Sequence, residues 1–184
     1  MSLFLTILFA LSSSASADRY TGDNSSGQLK LEMDSTMHTV PIDATQFTTE
    51  LNIDEKVTGK LVVQTTGLKT GIGVRDSRMY ELCLSSDKYP TVTYEVRGMT
   101  GDVDGFKSGE GSGAVELHGS LTIRSTTRDI KIPATYTWDN ESLGLTGKQN
   151  VNWSDYGVPD PSIVISKVQP KMDMEFKITL NKSL

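Results

Sequence analysis

The chain has 184 residues, of which 36% are hydrophobic and 22% charged, and its formal net charge at neutral pH is -5. This composition fits one globular domain better than a disordered or membrane-spanning chain. The acidic balance, with no basic stripe, argues against a nucleic-acid partner.

The first segment is apolar from Leu3 to Leu11, passes through Ser12 to Ser14 and ends Ala15-Ser16-Ala17 before Asp18. That order reads as a secretory signal peptide over residues 1–17, cleaved near Ala17, leaving one domain over 18–184. The n-region carries no Lys or Arg, but the apolar run is shorter than the ~20 residues a membrane helix needs. No Cys follows the cleavage site to accept a lipid. The expectation is a periplasmic or secreted protein without a permanent membrane anchor. Cys83 is the only cysteine, so no intrachain disulfide forms and stability must come from the core. A chain of about 167 residues can bury roughly two-thirds of its unfolded surface, which makes this feasible. Cys83 itself reads as a small hydrophobe in an apolar stretch.

From there apolar and polar residues alternate with period 2 almost to the end, the pattern of half-buried strands. Leu29, Leu31 and Met33 open it, followed by Phe47, Thr49, Leu51 and Ile53, then Leu61 and Val63. The stretch from about Gly71 to Asp87 breaks the pattern and reads as a short helix with Val74, Met79 and Leu82 on one face. Alternation resumes at Val92, Tyr94 and Val96 and lengthens through Val115, Leu117, Gly119, Leu121 and Ile123, with Glu116, His118, Thr122 and Arg124 opposite. Ile130, Ile132, Ala134, Tyr136 and Trp138 form the next run, where Pro133 marks an edge, a bulge or a bend because it has no N–H for a ladder. Leu143 to Trp153 follow, then a proline-bearing loop over about 154–168, and Met172, Met174, Phe176, Ile178 and Leu180 close the chain.

Turn residues fall between the runs at Asp54-Glu55-Lys56, Asp104-Gly105, Gly109 to Gly113 and Asp139-Asn140, so consecutive strands should form hairpins. About eight strands in an antiparallel meander suit an all-β, up-and-down barrel whose interior either fills with side chains or holds one small ligand. Gly59, Gly119 and Gly147 lie inside strands, where a curved barrel bends.

The sequence offers little for catalysis. His38 and His118 are the only histidines, and no spacing of His, Cys, Asp and Glu matches a zinc site. Asp102, Asp104 and Gly105 hint at a calcium loop, yet Phe106 takes the next ligand position, so they read as a turn. No nucleophile elbow, P-loop or dinucleotide fingerprint is present. No cofactor is expected, and the chain is not expected to be an enzyme.

Four segments in order carry a resemblance: Thr70-Gly71-Ile72-Gly73-Val74-Arg75-Asp76-Ser77-Arg78-Met79, Asp87-Lys88-Tyr89-Pro90, His118-Gly119-Ser120-Leu121-Thr122-Ile123-Arg124 and Tyr156-Gly157-Val158. Together they resemble the YceI-like family of exported, lipocalin-like proteins that bind polyisoprenoid or other lipid chains in a barrel. The chain departs from the family pattern at Arg78, where His is common, and at Ser125, where Gly is common; Met37-His38-Thr39-Val40 matches only loosely. The resemblance implies an open cavity, a long-chain isoprenoid, quinone or other lipid as ligand, and a homodimer as one expected assembly. By parity, Leu61, Val63, Val92, Val96, Leu117, Leu121, Ile123 and Ile132 would line the interior, with Phe47, Tyr94, Tyr136 and Trp138 setting its shape. Arg75 and Arg78 are the head-group candidates, since guanidinium forks match phosphate and carboxylate. Arg75 can equally serve to fix its own loop. A small outer-membrane barrel and a lipocalin-like enzyme acting on a lipid are the alternatives.

Overall fold

The computed structural model describes residues 18–108, 110–139 and 141–183, so the expected signal peptide lies outside the described residues. The alternating runs fold as β1 (Asp18–Asp23), β2 (Gly27–Ser35), β3 (Thr39–Ala44), β4 (Phe47–Ile53), β5 (Val57–Gln64), β6 (Leu68–Lys69), β7 (Thr91–Gly101), β8 (Glu110–Ile123), β9 (Thr126–Asp139), β10 (Ser142–Asn152) and β11 (Val168–Lys182). Every pairing is antiparallel. The ring β1-β4-β5-β7-β8-β9-β10-β11 closes where Tyr20 and Thr21 meet Lys182 and Asn181. This is a closed eight-stranded barrel. Three of its staves are kinked: β1 and β2 lie end to end along β11, β3 and β4 run back beside them, and β5 continues into β6. The alternation therefore shows as eight long staves although the strands among the described residues number eleven.

Inward and outward positions separate cleanly. On β9, Ile132, Ala134, Tyr136 and Trp138 are buried while Lys131, Pro133, Thr135, Thr137 and Asp139 are exposed. A side chain of this size stabilises by about 1.5–3 kcal/mol when taken out of water, so one stave fixes its own register. Pro133 stands at a parting of strands: the β9–β10 ladder, running back from Trp138, ends at Ala134, the residue after it. Gly119 and Gly147 are places of close approach. A Cβ on Gly119 would lie 2.8 Å from the Tyr94 ring, and one on Gly147 would lie 2.5 Å from the Phe176 ring.

The two ends of the barrel are closed differently. At one end the chain reverses between β7 and β8 at the expected Asp104-Gly105, but through a helical turn, Val103–Ser108, and the turn expected at Gly109 to Gly113 is corrected, since Gly111 and Gly113 belong to β8. Phe106, completely buried, is the cause of the difference, because its ring sits 5.0 Å from Tyr136 and 4.9 Å from Trp138, which itself meets Tyr20 edge-on at 5.3 Å. These four aromatics form a solid floor. At the other end, a helical turn α1 (Gly73–Arg78) runs into a wider π-helical turn over Met79–Leu84, and the segment 153–167 arches beside it. This roof leaves the barrel open.

Candidate functional site

The roof is held by polar contacts rather than by bulk. Asp76 is buried, and its Oδ1 accepts from the Thr70 amide at 2.8 Å and the Thr70 hydroxyl at 2.5 Å. Arg75 donates from Nη2 to the Thr70 carbonyl at 2.9 Å. The Tyr80 hydroxyl donates to the Leu68 carbonyl at 2.7 Å and accepts from Lys69 Nζ at 2.9 Å, which ties the π-helical turn to β6. Arg124 joins the roof from the opposite side: its Nη1 donates to the Gly157 carbonyl at 2.9 Å and the Cys83 carbonyl at 3.3 Å. Alternation alone puts Arg124 on the outer face of a strand. It stands one residue past β8, with φ 55, and this left-handed corner turns its guanidinium over the roof.

Beneath the roof lies a cavity of about 280 Å³, lined almost wholly by apolar side chains. Of the twelve residues expected by parity, Leu61, Val63, Val92, Tyr94, Leu117, Leu121, Ile123 and Ile132 stand on its wall, and Arg75 and Arg78 stand on it as well. Phe47, Val96, Tyr136 and Trp138 do not. All four are buried core residues. Tyr136 and Trp138 are spent on the floor against Phe106, Val96 sits level with Gly59 and Gly119, and Phe47 follows the kink between β3 and β4.

Part of the wall lies outside the twelve residues that parity singles out. Leu29, Leu31 and Met33 of β2 and Met172, Met174 and Phe176 of β11 face the cavity with the parity that marks the other lining residues. Val40 and Ile42 alternate with Thr39, Pro41 and Asp43, a short run that gave the same signal. Three methionines on one wall supply side chains that can shift to fit an irregular apolar guest. Val74, placed on a shared face with Met79 and Leu82, is instead 75% exposed, whereas Met79 and Leu82 line the cavity. The change from α-helical to π-helical turn rotates the two groups apart.

The cavity meets the surface between the roof turns and the 158–161 segment, where Arg78, Leu82, Pro159 and Asp160 are lining residues and all exposed. Among the described residues, Arg75 Nε is buried and has no hydrogen-bond partner. The remaining polar groups are quiet. Tyr94 donates its hydroxyl to the Leu117 carbonyl at 2.9 Å, and burial raises its pKa. Burial likewise pushes the Cys83 thiol up, and its side chain forms part of the wall. No histidine is on the cavity wall, and His118 instead sits outside with Glu116 and Thr100, each at 3.0 Å. Among the described residues, no group of three His, Cys, Asp or Glu is placed to hold a metal ion. The wall offers shape and apolar surface, with charge only at the rim.

A closed eight-stranded barrel with an apolar chamber open at one end defines a lipocalin-like binding architecture. Residues 20–180 match the YceI-like domain, and the chain belongs to that family. No curated protein sequence matches it. Among solved structures it is similar to a polyisoprenoid binding domain from Saccharophagus degradans implicated in plant cell wall breakdown, at 13% identity and a TM-score of 0.74, covering 90% of this chain and 98% of that one. It is similar to Burkholderia cenocepacia BcnA at 12% identity and a TM-score of 0.73, covering 86% and 98% respectively. The Campylobacter jejuni YCEI protein matches at 15% identity and a TM-score of 0.62, covering 79% of this chain and 86% of that one. At such identities the likeness is one of fold.

Proposed function

We propose that this chain is an exported binding protein that holds one long-chain lipid, a polyisoprenoid, a quinone or a similar molecule, for transport or storage. The observation that carries the reading is the chamber itself: an elongated guest gains about 0.8 kcal/mol for each CH₂ it buries, and the wall supplies continuous aliphatic surface. The name of the Saccharophagus domain supports a polyisoprenoid as the first ligand to try. Arg75 and Arg78 at the rim hold the polar head, with the unpartnered Nε–H of Arg75 as a spare donor. Export, with cleavage after Ala17, rests on the apolar leader. The almost wholly apolar lining among the described residues supports binding as the chamber's role. The barrel exterior disfavours an outer-membrane role, because Lys171, Asp173, Glu175 and Lys177 are exposed along β11, where a lipid-facing band would be apolar.

Protein purified without detergent, extracted into organic solvent and analysed by mass spectrometry should release a prenyl, quinone or fatty species in near-equal amount to protein. A clean extract from protein that also fails to take up added decaprenol would refute the reading.

A further inference from the structure

Seven large apolar side chains are exposed among the described residues, and all seven stand around the roof: Met37, Ile72, Val74, Leu82 and the run Ile163, Val164 and Ile165. Scattered exposed apolar residues are ordinary, but their concentration at one end is not. The opposite end, where Phe106 is completely buried, has none of them. Val164 is 99% exposed and Ile165 73%. Their tip is held in place: Ile163 and Ser166 exchange backbone hydrogen bonds at 2.9 and 3.1 Å, and the Asp160 carboxylate accepts from the Ser162 amide at 2.8 Å. The neighbouring β2–β3 hairpin, which carries Met37, is fastened to the same loop, since the Thr36 amide donates to the Lys167 carbonyl at 2.9 Å. Leu82 belongs both to this rim and to the cavity wall. The exposed apolar surface is therefore continuous with the chamber.

We propose that this rim docks the protein on a lipid bilayer, inserting the Val164-Ile165 tip, Val74 and Ile72 into the interface and setting the cavity mouth against the membrane. The inference rests on the lipid-binding reading above. A narrow tip whose base is closed by the Ile163–Ser166 backbone pair presents Val164 and Ile165 as a wedge that can enter the headgroup region, where their own amides still meet water and lipid headgroups, whereas a flat protein partner would need a complementary face. Lys167 beside the tip and Arg78 at the mouth are exposed and can stay at headgroup level while the apolar groups sink. A guest passing between bilayer and chamber by this route never crosses open water.

The test uses a chain beginning at Asp18, which contains every element of the barrel and omits the apolar leader that would bind vesicles by itself. Flotation with phosphatidylcholine vesicles in high salt should carry the protein with the lipid. Val164→Ser combined with Ile165→Ser should lower the bound fraction at least about tenfold, with the urea midpoint and the binding of cis-parinarate, a fluorescent fatty acid, unchanged. Val74→Ser alone should reduce flotation by a smaller factor. Wild-type protein that binds parinarate but stays with the aqueous phase overturns the docking and leaves the lipid-binding reading intact. Protein that floats but takes up neither parinarate nor decaprenol leaves the docking intact and removes that reading. Flotation indifferent to the tip substitutions also overturns the proposal, as does a tip whose loss converts a dimer to a monomer in light scattering without changing vesicle binding.

Discussion

Asp76 shows how one buried carboxylate can hold a roof over a cavity. Removing it leaves the Thr70 amide and hydroxyl without their acceptor, so Asp76→Ala should cost about 1–3 kcal/mol in urea denaturation, and Asp76→Asn, which keeps an acceptor oxygen, should cost less. Burial pushes the Asp76 carboxyl up, but the Thr70 hydroxyl and amide bonds, with the charges of Lys69 and Arg75, outweigh it and leave the pKa below the ordinary aspartate value. A lowered folded pKa means that its contribution is complete above the unfolded value of about 3.9 and is lost as pH falls through the lower folded value. The advantage of the wild type over Asp76→Asn should therefore stay level above about pH 4 and shrink on further acidification. Gly119 is a second sensitive position. A Cβ there would lie 2.2 Å from the Glu95 carbonyl as well as against Tyr94, so Gly119→Ala should destabilise by about 1–3 kcal/mol and displace the Tyr94 ring, visible by tyrosine fluorescence.

Among the elements, the strands and the helical break between Gly71 and Asp87 were legible in the sequence, and the helical turn over Val103–Ser108 was not. Runs such as Ile130 to Trp138 or Met172 to Leu180 keep strict period 2 over many residues, so the face each presents to the core follows from pattern alone. Val103–Ser108 has only six residues, too few for a helical period to register, and Phe106 could be read as nothing more than a residue that spoils a calcium loop. The kinks at Thr45-Gln46 and at Thr65–Gly67 hid β3 and β6, which are short and pair with each other over only two positions. Arg124 was misread because its residue type fits an outer face equally well, and only the left-handed turn reveals its reach. Arg124→Ala should loosen the roof from the 153–167 segment and lower stability by about 1–2 kcal/mol, measured as a shifted urea midpoint at constant slope. Hydrogen exchange should localise the loss to Cys83, Ser85 and Gly157.

At the scale of the whole molecule, the barrel is two halves with different contents. Aromatic side chains plug the floor half, and mainly aliphatic and methionine side chains, with Tyr94, Trp153 and Phe176 among them, surround the open half. Parity predicted which residues point inward but not which half each occupies, and this is why Tyr136 and Trp138 were expected on the cavity wall and stand in the floor. Filling the open half should abolish binding without unfolding the barrel. Leu61→Trp, on the wall and partly buried, is expected to weaken uptake of decaprenol at least about tenfold while changing stability by no more than about 1 kcal/mol. The most direct measurement is the affinity for straight-chain alcohols of increasing length. A continuous apolar chamber requires the dissociation constant to fall about fourfold per added CH₂ until the chamber is full and then to level off. An affinity that does not change with chain length would show that the guest never enters the barrel.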